Sequence, residues 1–372
     1  GARWRRRRAT VDLYDKAGVI HVHTRSSDGK GTVAAVARAA VRAKAQFVIV
    51  TDHDSLAGQQ NGEEGWYERR GRLVERGGQH DGQTLVFFGY EISPDDGNHF
   101  LALGLSEVVS KEQPPAAYVR EVARRGGVGF IAQPDYPPSR EYPLKPFPWT
   151  DWNVTGYTGL EIWSYSVDWL TGVTTVPRLL ASLVFPDRFT DGPMPETLAR
   201  WDDLCRAAWR RGRKVVGIGG TDAHGILYSY RRMFQTVRTH VLLERDWSGD
   251  AVQDKQAVLA ALRQGAAYVA YDRLYDATGF RFTAETNVES AVMGGTLSRA
   301  RRSGARRSVW LRAQAPTRCM LTLRTPDGVV QQVDGNRLEA RVEESGVYRM
   351  EAHIPSSRGL RPWVFTNPIY VR

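Results

Sequence analysis

From residue 17 to about 275, short apolar runs of β character alternate with segments of helical period. Residues 19–23 read as a strand, and 32–44 as an Ala-rich helix with Thr32 at its N-cap. Residues 46–51 are strand-like and end in Thr51-Asp52-His53-Asp54; 84–91 and 100–103 are further β runs. A helix is predicted over 116–125, stopped by Gly126 and Gly127, and a strand over 128–132. The alternation continues with a strand at 159–162, a helix at 196–211 closed by Gly212, a strand at 215–219 and a last helix at 253–264 before Gly265. Such alternation predicts an α/β fold on a parallel sheet, open or closed into a barrel, with ligands gathered at the C-terminal ends of the strands.

Beyond about residue 280 the texture changes. Short β-like runs at 309–313, 320–324, 329–333, 338–342, 348–353 and 364–371 are separated by turns such as Pro326-Asp327-Gly328 and Asp334-Gly335, without helical period. They predict a small antiparallel β-sandwich appended to the α/β part. The expected division is a basic tail over 1–16, an α/β domain over 17–278 and the sandwich over 279–372.

A chain of 372 residues that is 42% hydrophobic can bury a large core. Its formal net charge of +10 suggests nucleic acid until the charge is located. Arg3, Arg5, Arg6, Arg7 and Arg8 form one run, and Arg299, Arg301, Arg302, Arg306 and Arg307 another, neither containing an acid. Together they account for the whole excess, so the body is close to neutral and no specific nucleic-acid partner is expected. The first run, with Trp4, reads either as a solvated tail or as the cytoplasmic flank of a membrane helix lying upstream, which would bring membrane contact. Cys205 and Cys319 lie far apart in the chain, so no disulfide framework is expected, and the compartment stays open.

The histidines carry the chemistry. His21 and His23, on a strand, would point the same way about 7 Å apart, which suits two imidazoles on one metal ion. Two satisfied strand histidines are the plain alternative. Of the eight histidines, five fall at strand ends beside carboxylates: His21, His23, His53, His99 and His224. Asp28 follows the first pair in a Gly-ended turn, Glu91 closes its strand, and Asp222 stands two residues before His224. His80, His240 and His353 lack such settings and read as ordinary surface or core residues.

In this order His21-Val22-His23 with Ser27-Asp28-Gly29, Thr51-Asp52-His53, Glu91 with His99, and Thr221-Asp222-Ala223-His224 resemble the PHP superfamily, named for polymerase and histidinol phosphatase. The resemblance spans residues 17 to roughly 275. It implies a distorted (β/α)7 barrel with two or three divalent transition metals at its C-terminal face. His21, His23, Glu91 and Asp222 would hold the first, Glu91 and His99 the second with Glu91 bridging, and Asp28, His53 and His224 the third. Glu91, Asp222 and His224 would also serve catalysis. The β-rich tail, with Gly346-Val347-Tyr348-Arg349 and residues 361–371, resembles the two-domain branch that includes carbaryl hydrolases. One position departs from the pattern: where the family usually has histidine before proline, this chain has Gln133-Pro134. The second site would then be weaker, differently occupied or empty, unless Gln133 is simply a structural strand-end residue.

Mixed His and carboxylate ligation fits zinc, manganese or iron without choosing among them. Such ions acidify a bound water and polarise the attacked group, so no serine or cysteine nucleophile is required. The expectation is a metal-dependent hydrolase of a small-molecule substrate, with phosphoesters first. That class would use cations near the motifs, namely Arg25, Lys30, Arg231 and Arg232, each otherwise a solvated charge. Carboxylic esters or carbamates would use an aromatic pocket drawn from Phe147, Trp149, Trp152, Tyr157, Trp163, Tyr165 and Trp169, each otherwise core. A non-catalytic binding protein is a third reading, opposed by the cost of keeping eight coordinating side chains together as uncompensated polar groups.

Overall fold

In a computed structural model the described residues are 13–78, 82–136, 147–299, 308–357 and 359–372. The N-terminal arginine run, His80 and all of the second run except Arg299 lie outside them. In chain order the first strands are β1 (Tyr14–Ile20), β2 (Phe47–Val50), β3 (Gly65–Glu68), β4 (Leu73–Val74), β5 (Gln83–Ile92) and β6 (Phe100–Leu103). They are followed by β7 (Val128–Ile131), β8 (Gly159–Ser164), β9 (Val216–Gly220), β10 (Val237–Leu243) and β11 (Ala267–Tyr271). β1, β2 and β5 pair in parallel, as do β7, β8 and β9.

β6 runs antiparallel to both β5 and β7, a reversal among these otherwise parallel strands that the alternation does not predict. Only residues 93–99 join β5 to β6, too few for the dozen or so that a parallel crossover needs. The ring closes beyond the ends of β9 and β1, where Thr221 N donates to Ile20 O (3.0 Å), Ala223 N to His21 O (3.2 Å) and His23 N to Ala223 O (2.9 Å). Seven strands thus form a distorted barrel. Reversal of β6 has a useful consequence: its first residue lies at the end where its neighbours finish.

The helix Val33–Ala43 shows why the sequence pattern works outside the sheet. Thr32 Oγ1 caps Ala35 N, Val36, Ala37 and Ala40 bury one stripe, and Lys44 ends the helix in the left-handed conformation. The helices Pro115–Arg124, Pro195–Arg210 and Ala251–Gln264 also lie close to their expected bounds. Two others, Tyr165–Gly172 and Val176–Val184, have no counterpart in the sequence reading.

The remaining strands are β12 (Arg281–Glu285), β13 (Ser290–Val292), β14 (Thr296–Leu297), β15 (Val309–Thr325), β16 (Gly328–Val342), β17 (Gly346–Ser356), β18 (Gly359–Thr366) and β19 (Ile369–Val371). Asp334-Gly335 is not a turn: it lies inside β16, opposite Met320 and Cys319. A register break between Gln314 and Cys319 bends β15 instead, so its first half pairs with β12 and its second with β17. Phe282, Leu311, Leu321, Met350 and Trp363 fill the core beneath.

This β unit is tied to the barrel. β18 pairs with β11, and the Asn367 amide bonds Gly217 N, Gly217 O and Ala267 O. Arg349, buried, makes a two-pronged pair with Asp202 (2.7 and 2.8 Å) and a third bond to Glu351. Cys205 and Cys319 are both free and buried.

Candidate metal centre

The histidine pair does not sit on a strand. β1 ends at Ile20, and His21 takes φ 65°, the left-handed region. This turn, rather than strand alternation, brings the two rings to 5.2 Å. The closure bonds to Thr221 and Ala223 hold its backbone on one side; Thr51 N donates to Val22 O (2.8 Å) on the other. The turn that follows is held by Asp52, whose carboxylate accepts from Thr24 N (2.6 Å), Thr24 Oγ1 (2.6 Å) and Ser27 Oγ (2.7 Å). Gly29 is required there, since a Cβ would lie 2.2 Å from His23 O. The Tyr230 hydroxyl then joins two ligand loops, 2.8 Å from His23 O and 3.0 Å from His224 O.

Seven of the eight candidate ligands converge through His23 and Glu91, and His99 joins through Glu91. His21 Nε2 lies 3.4 Å from Glu91 Oε2 and 3.5 Å from Asp222 Oδ1; His23 Nε2 lies 3.5 and 3.3 Å from the same two atoms. His53 Nδ1 is 3.2 Å from Glu91 Oε2, and His99 Nδ1 is 3.1 Å from Glu91 Oε1. On the solvent side Asp28 Oδ2 faces His224 Nε2 (3.2 Å) and His53 Nε2 (3.6 Å). Two groups could therefore hold a cation: His21, His23 and Glu91, all buried, and His23, Asp28, His53 and His224 nearer the surface. His23 belongs to both, a sharing that the family partition does not contain.

The donor set fits a metal. Among the described residues His21 Nε2 and both ring nitrogens of His23 are buried without a hydrogen-bond partner. Buried polar atoms are seldom left so, and these face carboxylate oxygens, as ligands around one ion would. Electrostatics agrees. Burial pulls His21 down, but Glu161, Glu91 and Asp222 outweigh it and hold the imidazole well above its ordinary range. His53 is raised to about 10 and His224 to about 9, burial being overcome by Asp28 and Glu91 for the first and by Asp222 and Asp28 for the second. Burial opposes ionisation of Glu91 and Asp222 too, yet the neighbouring histidines hold both carboxyls well below the usual range. The cluster favours added positive charge.

Glu161 is the residue that sequence reading missed. It is fully buried on β8; Oε1 accepts from His21 Nδ1 (3.0 Å) and Oε2 from Gln133 N (3.0 Å). With Nδ1 the donor in that bond, Nε2 is the ring atom turned toward Glu91 and Asp222, where it would offer its lone pair to a bound cation. Gly220 makes room for it, since a Cβ there would stand 1.9 Å from Glu161 Oε1. A lone carboxylate within the apolar run Leu160-Glu161-Ile162-Trp163 was the available signal.

Gln133 lies at the site as well. Its amide nitrogen donates to Asp222 Oδ2 (2.9 Å) and Ser164 Oγ (3.3 Å), leaving Oδ1 of Asp222 for the histidines. Six non-glycine residues have left-handed φ among the described residues, and His21, Asp54, Asn98, Gln133 and Asp222 are five of them. All five are candidate ligands or abut one, so backbone strain is concentrated here.

The remaining candidates differ in their settings, and Lys30 N donates to His224 O (2.8 Å) at the edge of the site. Arg25 spends Nε on Lys30 O (2.8 Å), and Arg232 bonds Leu183 O and Val184 O. Lys30 and Arg231 are exposed. Trp163 stacks on Tyr271 at 5.6 Å and donates to Asp168, in the core rather than over the ligands. Trp149, Tyr165 and Trp169 are also core. Phe147 does reach the site, stacked on His99 at 5.0 Å, with Tyr136 against it. His240, fully buried, bridges Asp15 (3.0 Å) and Asp272 (3.1 Å) away from the cluster, and His353 packs edge-on against Phe365.

No family model matches the sequence, and no curated protein matches it. Among solved structures the chain is similar to a two-domain protein from Bacteroides vulgatus containing a predicted PHP-like metal-dependent phosphoesterase. The two are 14% identical over 95% of either chain, with a TM-score of 0.43.

Proposed function

We propose that the protein is a metal-dependent hydrolase, with phosphoesters as the first substrate class. The observation that carries this reading is the pair of partnerless Nε2 atoms of His21 and His23, each within 3.5 Å of Glu91 and Asp222 in a buried cluster. Zinc, manganese or iron bound there would supply an acidified water and an electrophile for the attacked group. The chain supplies the frame. His21, His23, Glu91 and Asp222 hold the inner position, and Asp28, His53 and His224 with His23 the outer one. Glu161 fixes the proton of His21 on Nδ1; Gln133 holds one oxygen of Asp222 so that the other faces inward. His224 Nδ1 is engaged with the Asp222 carbonyl (3.0 Å), which leaves Nε2 for an ion or a proton.

A second reading, hydrolysis of an aryl ester or carbamate, is favoured by Phe147 and Tyr136 as an aromatic wall beside His99. Protein purified without chelator should carry at least two transition ions per chain by elemental analysis; a metal-free result overturns the proposal. His21→Ala and Asp222→Ala should each abolish turnover in a protein that stays folded. Rates on p-nitrophenyl phosphate, bis-p-nitrophenyl phosphate, p-nitrophenyl acetate and an aryl carbamate separate the two readings.

A further inference from the structure

The helix Val176–Val184 is inverted. Val176, Leu180 and Val184 are each more than half exposed and Leu183 is exposed beside them, whereas Ser182 is fully buried. These apolar positions recur at helical spacing, so they form one stripe, and it faces outward. Ser182 is fixed inward: its hydroxyl donates to Leu179 O (2.7 Å), and its carbonyl accepts from the Tyr228 hydroxyl (2.7 Å). Phe185 extends the stripe, and Ile226 and Leu227, also more than half exposed, directly precede Tyr228. Arg232 fastens this second segment to the helix end through Leu183 O (3.0 Å) and Val184 O (3.3 Å).

The rim is cationic. Arg178, Arg188, Arg231 and Arg232 belong to these two segments; against these four stand Asp187, which is paired with Arg273 at 2.8 Å, and the exposed Asp191 just beyond Thr190. An apolar stripe bordered by arginines matches the boundary between acyl chains and anionic headgroups. It is a poor match for its own copy, because a two-fold contact would set arginine against arginine.

We propose that this surface docks the protein on an anionic lipid bilayer, with the outward stripe and Ile226-Leu227 entering the acyl boundary. Ile226 and Leu227 follow His224 by two and three residues, so the docked surface borders the metal centre.

Co-sedimentation of the full chain with phosphatidylcholine vesicles, with and without phosphatidylserine, tests it. Retention is expected on the anionic vesicles and is expected to weaken with salt. Leu180→Asp with Val184→Asp should lower the partition coefficient about tenfold or more, and Arg188→Glu or Arg231→Glu about fivefold or more for each cation lost. Circular dichroism checks that the variants, all at exposed positions, remain folded. Equal retention on neutral vesicles overturns the proposal. So does retention unchanged by these substitutions, which would leave the N-terminal arginine run as the anchor. A concentration-dependent dimer in sedimentation velocity, abolished by Leu180→Asp, would assign the surface to a second copy instead.

Discussion

Replacing Glu161 with glutamine keeps the shape of the side chain and changes its hydrogen-bonding capacity. The carboxylate accepts from two fixed donors, His21 Nδ1 at 3.0 Å and Gln133 N at 3.0 Å. An amide has only one oxygen, so one of these donors would face an NH2 group whichever way the amide is turned. Glu161 is fully buried, so water cannot repair the mismatch, and one unsatisfied buried donor costs about 1–3 kcal/mol. With the Nδ1 proton no longer held, His21 loses its orientation, and loss of such an outer partner lowers metal affinity by about 10–100-fold. Urea unfolding of the metal-free protein measures the first effect; titration of zinc or manganese into chelator-treated protein measures the second. If Glu161→Gln binds metal within about twofold of the parent, well short of the roughly 10–100-fold loss that such contacts normally command, the positioning role is refuted.

Three further outcomes are expected. Asp52→Ala removes the acceptor of three hydrogen bonds that hold the 24–29 turn, and should cost about 2–4 kcal/mol in urea unfolding while lowering metal content at the Asp28 position. At His240 burial lowers the imidazole, but Asp272 and Asp15 outweigh it and raise it to about 10, against about 6.5 in an unfolded chain. This contribution is complete below about pH 6.5 and is lost as pH rises toward 10. Unfolding free energy should therefore fall across that window, and the slope should be smaller in His240→Gln. Gln133→His replaces an amide donor to Asp222 with a ring that can offer a lone pair, so elemental analysis should find more metal per chain; an unchanged count argues against Gln133 as the limiting ligand position.

Much of the barrel was legible because its strands and helices announce themselves locally. The helix Val33–Ala43 has its cap at Thr32 and its apolar stripe in the same eleven residues, and Phe100–Leu103 was bounded correctly. The inverted helix Val176–Val184 was not legible, because an outward apolar stripe has the same period as an inward one. The Asp334-Gly335 pair misled for a related reason: turn-forming residues also occupy the interior of a long strand that bends at a break in its partner.

The candidate ligands themselves could be named from the chain alone, since histidines and carboxylates at the ends of apolar runs form a local pattern. How they group could not. The sharing of His23 between two sets depends on the left-handed turn at His21, and that turn exists because β9 and β1 close the ring through Thr221 and Ala223, some two hundred residues away. His99 reaches Glu91 because β6 runs backwards. Glu161 earns its place only from contacts to His21 and Gln133, which no spacing within β8 encodes. Sequence determined which chemistry was present; tertiary structure decided which atoms face one another, because ligand geometry is set by long-range backbone pairing.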